Sequence, residues 1–171
     1  TDGEIRAADA VIICTGTFRS GRICTGHSSC AAGRANEPPS LRLAENIRDL
    51  GFEVLRLKTG TPMRLHADSI GWERFTPQPG DEPPLPFSMY TRRRVRNLAC
   101  CYLGHTTPEV GRIIRDNVHL SPLYSGKIKG IGPRYCPSIE DKIVKFPERE
   151  RHHFYLEPEG LNNKEIYVNG L

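Results

Sequence analysis

Apolar positions fall in short runs along this chain, separated by polar stretches rich in glycine and proline. Residues 10–14 (AVIIC) form a continuous apolar run that ends in Thr15-Gly16-Thr17. Such a run predicts a buried strand, and strands buried on both faces occur in parallel sheets. A glycine just past it lets backbone approach a ligand at the strand's carboxyl end. Turn residues fill 33–40 (GRANEPPS). From an N-cap at Ser40, Leu43, Ala44, Ile47 and Leu50 recur at helical spacing, and Gly51 suits the residue after the helix. Residues 52–58 (FEVLRLK) read as a strand, broken at Gly60 and Pro62. Five prolines over 65–99 predict little regular structure. Thr106-x-x-Glu109 reads as a capping box with Pro108 in the first turn, and Val110, Ile113 and Ile114 mark a helix to about Asn117. Residues 142–146 and 153–156 read as strands of a hairpin around PERER (147–151), and 166–168 as a further strand. The fold class expected is α/β with Gly/Pro-rich loops. There is no internal repeat, and no apolar run approaches the ~18 residues of a membrane span.

Composition sharpens this pattern. The 171 residues include 16 glycines and 14 prolines, a surplus that favours loops over long elements. The net charge of +4 is unevenly spread: residues 1–91 carry −1, 92–151 carry +7 and 152–171 carry −2. A basic middle third suits either a polyanionic partner or a solvated basic face. Acids stand at the N-terminal end where a signal peptide needs a basic segment, which argues against secretion. Both ends cut into strand-like patterns, so the chain is expected to be a piece of something longer. Six cysteines without any CxxC pair fit a reducing compartment better than a disulfide framework, and Cys14 reads as a small buried apolar residue.

Chemistry-bearing residues are densest in 130–146 (GIGPRYCPSIEDKIVKF). Cys136 has Arg134 and Lys142 close in sequence and sits between Pro133 and Pro137. Nearby cations lower a thiol's pKa and favour the nucleophilic thiolate, although a loop cysteine without chemistry is the plain alternative. Cys100-Cys101 is followed by His105, a base or proton shuttle if a turn brings it round. The same cysteines with Cys136 make a weak zinc candidate, because adjacent cysteines rarely both ligate one ion; no metal is expected. His152 and His153 would point to opposite faces of a strand. Trp72 and Tyr90, near Arg92, Arg93, Arg94 and Arg96, either stack on bases or fill a core.

Taken together, TGTF (15–18), GRANEPPS (33–40), RLKTGTPMR (56–64), CYLGHT (101–106), GPRYCPSIEDK (132–142) and LEPEGL (156–161) resemble the MnmG (GidA) family in order and spacing. The resemblance runs from about residue 8 to residue 171. It implies part of a Rossmann-like FAD-binding domain with an inserted α/β domain: 1–59 and 132–171 from the former, 60–131 the insertion. It implies an enzyme that adds a carboxymethylaminomethyl or aminomethyl group to C5 of the tRNA wobble uridine. The cofactors and carbon donor implied are FAD, NADH and methylene-tetrahydrofolate. The partners implied are tRNA, an MnmE-type GTPase and a second copy of the protein, with no membrane involved. The compartment would be the bacterial cytoplasm or the mitochondrion.

By motif, the family's catalytic cysteines fall on Cys101 and Cys136. Cofactor-side residues fall on Thr15, Gly16, Thr17, Arg34 and Ser40, and on Gly132, Pro133, Arg134, Tyr135, Ser138, Ile139, Glu140, Asp141 and Lys142. Assigning Arg92, Arg93, Arg94 and Arg96 to tRNA phosphates rests on charge alone. Asn36 replaces a family glycine but tolerates positive φ, Gly104 replaces a threonine, and Met63 a proline. The N-terminal GxGxxG fingerprint is absent, as is the C-terminal helical region used for partner binding, so weak FAD binding is expected of this chain alone. Two alternatives stand beside this reading: a non-catalytic RNA- or protein-binding remnant, and a folate- and FAD-dependent tRNA uracil-5-methyltransferase.

Overall fold

The structure is a computed structural model that describes residues 3–16, 18–34, 36–130, 132 and 137–171. Thr17, Pro133, Arg134, Tyr135 and Cys136, all candidates above, lie outside the described residues. The chain divides into two compact units, Thr1–Leu55 and Arg56–Leu171.

In the first unit, β1 (Arg22–Thr25) and β2 (Ser28–Ala31) form an antiparallel hairpin. Helix α1 (Leu41–Asp49) runs as its spacing predicts, with Ser40 extended at the N-cap and Gly51 at φ +88° just past its end. It turns Leu43, Ala44 and Ile47 inward. The strand expected over 10–14 does not form, and Cys14 is exposed. A central parallel strand needs a neighbour on each side and cover on both faces. The described residues of this unit supply neither, so Val11 and Ile12 stay exposed. Residues 52–58 are likewise irregular rather than a strand.

The second unit is built on a five-stranded antiparallel sheet. Its strands are β3 (Arg64–His66), β4 (Thr76–Gln78), β5 (Cys101–His105), β6 (His153–Pro158) and β7 (Glu165–Asn169), in the order β3-β7-β6-β5-β4. Leu156, Ile166 and Val168 on β6 and β7 form its buried core, and Trp72, Phe75, Tyr102 and Phe154 pack on it. The fold class is therefore mixed α and β, but both sheets are antiparallel. One sheet takes strands from both sides of residue 132.

Two local expectations are corrected. Helix α2 (Pro108–Asn117) is capped by Thr107, whose hydroxyl accepts a hydrogen bond from the Val110 N–H, and not by Thr106. Thr106 is buried, and its hydroxyl accepts instead from the His152 N–H at 2.9 Å. Glu109 then binds Arg112, three residues on, rather than closing a capping box. Residues 142–145 belong to helix α3 (Ile139–Lys145) and Phe146 is its C-cap, so they form no hairpin strand. Glu140 and Asp141 in its first turn and Lys142 and Lys145 in its last complement the helix dipole, which outweighs the brief strand-like alternation of IVKF. Strand β6 pairs with β5 and β7 instead.

Gly104 on β5 lies opposite Phe154. A Cβ there would come within 2.6 Å of the Phe154 ring and 2.8 Å of Phe75. These rings meet edge to face 6.1 Å apart, so neither retreats freely. Gly104→Ala is expected to cost about 1–3 kcal/mol by overpacking, more than the ~0.4–1 kcal/mol gained from a stiffer unfolded chain. Urea denaturation checks the loss, and Phe154→Leu in the same chain should recover part of it through a coupling term.

Candidate functional site

The segment 58–60 and the start of α3 build a part-buried polar cluster. Ser138 is extended at the N-cap of α3, yet its hydroxyl makes no cap bond. It accepts instead from the Lys58 ammonium, which also donates to Glu140 Oε1 at 3.0 Å. Lys58 is only 9% exposed along its side chain, and its Nζ lies 3.9 Å from Asp141 Oδ2. Gly60 permits this approach, because a Cβ there would fall 2.7 Å from that of Ser138.

Electrostatics follow from that packing. Burial works to raise the Glu140 carboxyl, but the Lys58 hydrogen bond, its own backbone N–H, Ser138 and the Lys58 charge together hold it below its ordinary range. Asp141 is 2% exposed; its Oδ1 accepts from the Tyr124 hydroxyl at 3.0 Å. Its Oδ2 is buried with no hydrogen-bond donor among the described residues. Burial, the bond to Asp141 and the charges of Asp141 and Glu140 push the Tyr124 phenol up to about 12. Lys142 does not join this cluster but donates to the Gly170 carbonyl at 2.5 Å. Ile139 is half-buried and Gly132 packs near Asp141 Oδ2.

Cys101 opens β5 and is half-buried. Burial first, then Glu157 and Cys100, push its thiol up from the ordinary value, so it stays protonated at neutral pH. The base once envisaged for it is out of reach: His105 ends the same strand, roughly 13 Å away at strand rise, and pairs with His153. No group of three or more metal-ligating side chains gathers among the described residues.

The candidates of the first unit are surface groups. Thr15 accepts from Arg19 at 3.0 Å, and Gly16 adopts φ +68° facing open space. Arg34 forks onto Glu37 at 3.0 and 2.5 Å. Asn36 takes the left-handed φ of +66° that its type tolerates, so the turn survives loss of the family glycine. Backbone N–H groups of this loop are spent internally: Gly33 on Glu37, Glu37 on Arg34, and Ser40 on Phe18.

Arg92, Arg93, Arg94 and Arg96 sit exposed on an irregular loop and form no ion pair among the described residues. Phe87, Met89 and Tyr90 are exposed beside them. Trp72, by contrast, belongs to the core, its ring 4.6 Å from Tyr102. Sequence reasoning passed over Lys58, Ser121 and Tyr124. Lys58 lay inside a quoted motif, but nothing in the sequence pointed to a carboxylate partner 82 residues away.

A family model described as "Glucose inhibited division protein A" matches residues 1–171. The chain is 50% identical over 164 residues to the tRNA uridine 5-carboxymethylaminomethyl modification enzyme MnmG of Geobacillus thermodenitrificans, covering 96% of this chain and 26% of that protein. It is 52% identical over 169 residues to the enzyme of the same name from Thermodesulfovibrio yellowstonii, covering 99% of this chain and 27% of that one. The solved structure of Aquifex aeolicus GidA in its form I crystal superposes with a TM-score of 0.79 at 48% identity, over 92% of this chain and 27% of that one. The chain thus spans about a quarter of the length of these relatives.

Proposed function

The chain belongs to the glucose inhibited division protein A (GidA) family, and from that premise we propose that it is the central stretch of a tRNA-modifying flavoenzyme. With a partner GTPase, the whole protein adds a carboxymethylaminomethyl or aminomethyl group to C5 of the wobble uridine. The observation that carries this reading is identity of about 50%, over nearly all of this chain, to enzymes named for that modification. The whole protein would act as a homodimer in the bacterial cytoplasm or the mitochondrion.

Bound FAD and NADH would supply reducing equivalents, and methylene-tetrahydrofolate the transferred carbon. In the 33–40 loop Arg34 pairs with Glu37, and the N–H groups of Gly33, Glu37 and Ser40 are bonded to backbone carbonyls, so these groups are not set to cradle a cofactor's diphosphate. We assign that contact to parts of the relatives' length that this chain does not span, and derive no step through it.

The chain's own residues take three roles in this reading. Uracil C5 becomes nucleophilic only after a nucleophile adds at C6, work suited to a thiolate. Cys101 and Cys136 are the two thiols available for that work, and burial favours the protonated form of Cys101. Lys58, Ser138 and Glu140 lock the start of α3 and so position the chain that leads out of the Cys136 loop. Arg92, Arg93, Arg94 and Arg96 offer exposed cations, in no ion pair among the described residues, for tRNA phosphates, with Tyr90 a stacking platform.

Grafting this chain in place of the matching segment of the Geobacillus thermodenitrificans enzyme tests the reading. In cells lacking their own enzyme, nucleoside analysis of tRNA should show carboxymethylaminomethyluridine restored, and Cys136→Ser should abolish it. A folded, flavin-loaded chimera that leaves the wobble uridine unmodified favours the non-catalytic remnant. Appearance of 5-methyluridine favours the methyltransferase.

A further inference from the structure

A recess of about 130 Å³ lies in the second unit, away from the Lys58 cluster, between the end of α3 and the start of β6. Lys142, Arg149, Arg151, His152 and His153 line it with Pro137 and the Phe146 ring, and no carboxylate among the described residues does. Its cations are held in place. The Arg149 guanidinium lies 5.1 Å over the Phe146 ring, and the Arg149 N–H closes a turn onto the Phe146 carbonyl. Arg151 Nε donates to the Thr106 carbonyl at 3.3 Å. Thr106 also grips the His152 backbone twice, through N–H to carbonyl at 2.8 Å and hydroxyl from N–H at 2.9 Å. Lys142, anchored on Gly170, adds its charge from α3.

His152 supplies the independent sign of a ligand. It is 7% exposed, and its Nε2 is buried without a hydrogen-bond partner among the described residues. An unpaired buried nitrogen costs about 1–3 kcal/mol unless something fills its need. The recess is well below the roughly 300–1,000 Å³ of clefts that enclose drug-sized ligands, so it takes a small group or the end of a larger one. A backbone phosphodiester carries one negative charge, whereas a terminal phosphate carries nearly two and answers this cluster better.

We propose that this recess binds a phosphate monoester or similar small dianion, with Arg149, Arg151 and Lys142 facing its oxygens and His152 Nε2 as a further donor. Binding strengthens as pH falls, because a dianion favours the protonated ring. In the unliganded chain burial, then Lys142, Arg149 and His153, hold the His152 ring below its ordinary value, opposed only by Glu148.

Calorimetry on the whole 171-residue chain with inorganic sulfate, whose charge does not change between pH 5.5 and 8, tests this. Saturable one-to-one binding should tighten several-fold on acidification. It should weaken at least tenfold in Arg149→Gln/Arg151→Gln, and lose much of its pH response in His152→Gln. Should those variants fail to fold, the wild-type His152 ring resonances serve, since sulfate should shift them. No saturable binding, or unmoved ring resonances, overturns the proposal. A single-stranded oligonucleotide with a 5′-phosphate should bind more tightly than the same strand with a 5′-hydroxyl. Equal affinity means that the recess reads backbone diesters and overturns the monoester assignment.

Discussion

Leu156→Ala is expected to strip the second unit of a large part of its stability. Leu156 is 1% exposed at the centre of β6, between β5 and β7, and touches the packing of both. Its buried companions among the described residues of that core number only Ile166 and Val168. Removing a buried leucine loses transfer free energy and leaves a cavity, together about 2–5 kcal/mol. Whole domains are stable by only about 5–15 kcal/mol, so the variant loses a sizeable fraction. A core with so few fully buried members has little around it to collapse into the hole, which favours the upper end of that range. Thermal unfolding should show the midpoint fall by roughly 8 °C or more. Leu161→Ala is the control: that leucine is 63% exposed, and its removal should stay within about 0.5 kcal/mol. Equal losses from the two variants would place the core elsewhere.

What the sequence disclosed depended on the range of the information. Helix α1 was legible because its cap, its spacing and its terminal glycine lie within twelve residues and agree with one another. Strands β6 and β7 were legible from β-rich runs, and the left-handed Asn36 from the glycine that the resembled family has there and asparagine's tolerance of positive φ. The failures share a cause. Residues 10–14 carry the pattern of a buried strand, but a strand exists only with partners, and the described residues of its unit provide none. Residues 142–146 alternate like a strand, but charges at both ends of α3 and the burial of Ile143 decide for helix. At Thr106 and Thr107 the sequence offers two caps one residue apart. The choice is made by His152, 46 residues on, which claims the Thr106 hydroxyl.

The same division runs through the candidate site. Cys101, Ser138, Glu140 and Asp141 were nameable from motifs, but their electrostatics were not. Cations near Cys136 in sequence suggest an activated thiol there, a residue outside the described ones, while at Cys101 burial and Glu157 push the thiol up. Lys142, read as a cation for Cys136, donates to the Gly170 carbonyl and lines the basic recess, while Cys136 itself lies outside the described residues. Lys58, unnoticed, is a cation that both Glu140 and Asp141 meet, Asp141 facing Lys145 at 3.9 Å as well.

That arrangement makes Lys58→Met the companion test of stability. The substitution keeps most of the side chain's length while removing its charge, leaving the buried carboxylates of Glu140 and Asp141 without Lys58. Breaking a buried ion pair from one side costs about 3–5 kcal/mol at neutral pH, because the remaining charge stays desolvated. An exposed network gives the contrast: Arg112→Ala removes contacts to Glu109 and Asp116, all well exposed, and should cost under about 1 kcal/mol. The pH dependence fixes the cause. In the native chain the Glu140 carboxyl lies below its ordinary value of 4.5, so its contribution is full above that value. It is lost as pH falls through the lowered folded value. In Lys58→Met both contributions of the ammonium are gone, and burial, opposed then by the backbone N–H and Ser138 alone, moves the Glu140 pKa upward from its native position. The penalty is then greatest at neutral pH and shrinks on acidification, so the two denaturation midpoints converge toward about pH 4. Lys58→Met/Glu140→Gln should recover much of the loss at pH 7, since the stranded charge is gone. A penalty independent of pH, and untouched by the second substitution, would mean that Lys58 acts through packing of its carbon chain alone.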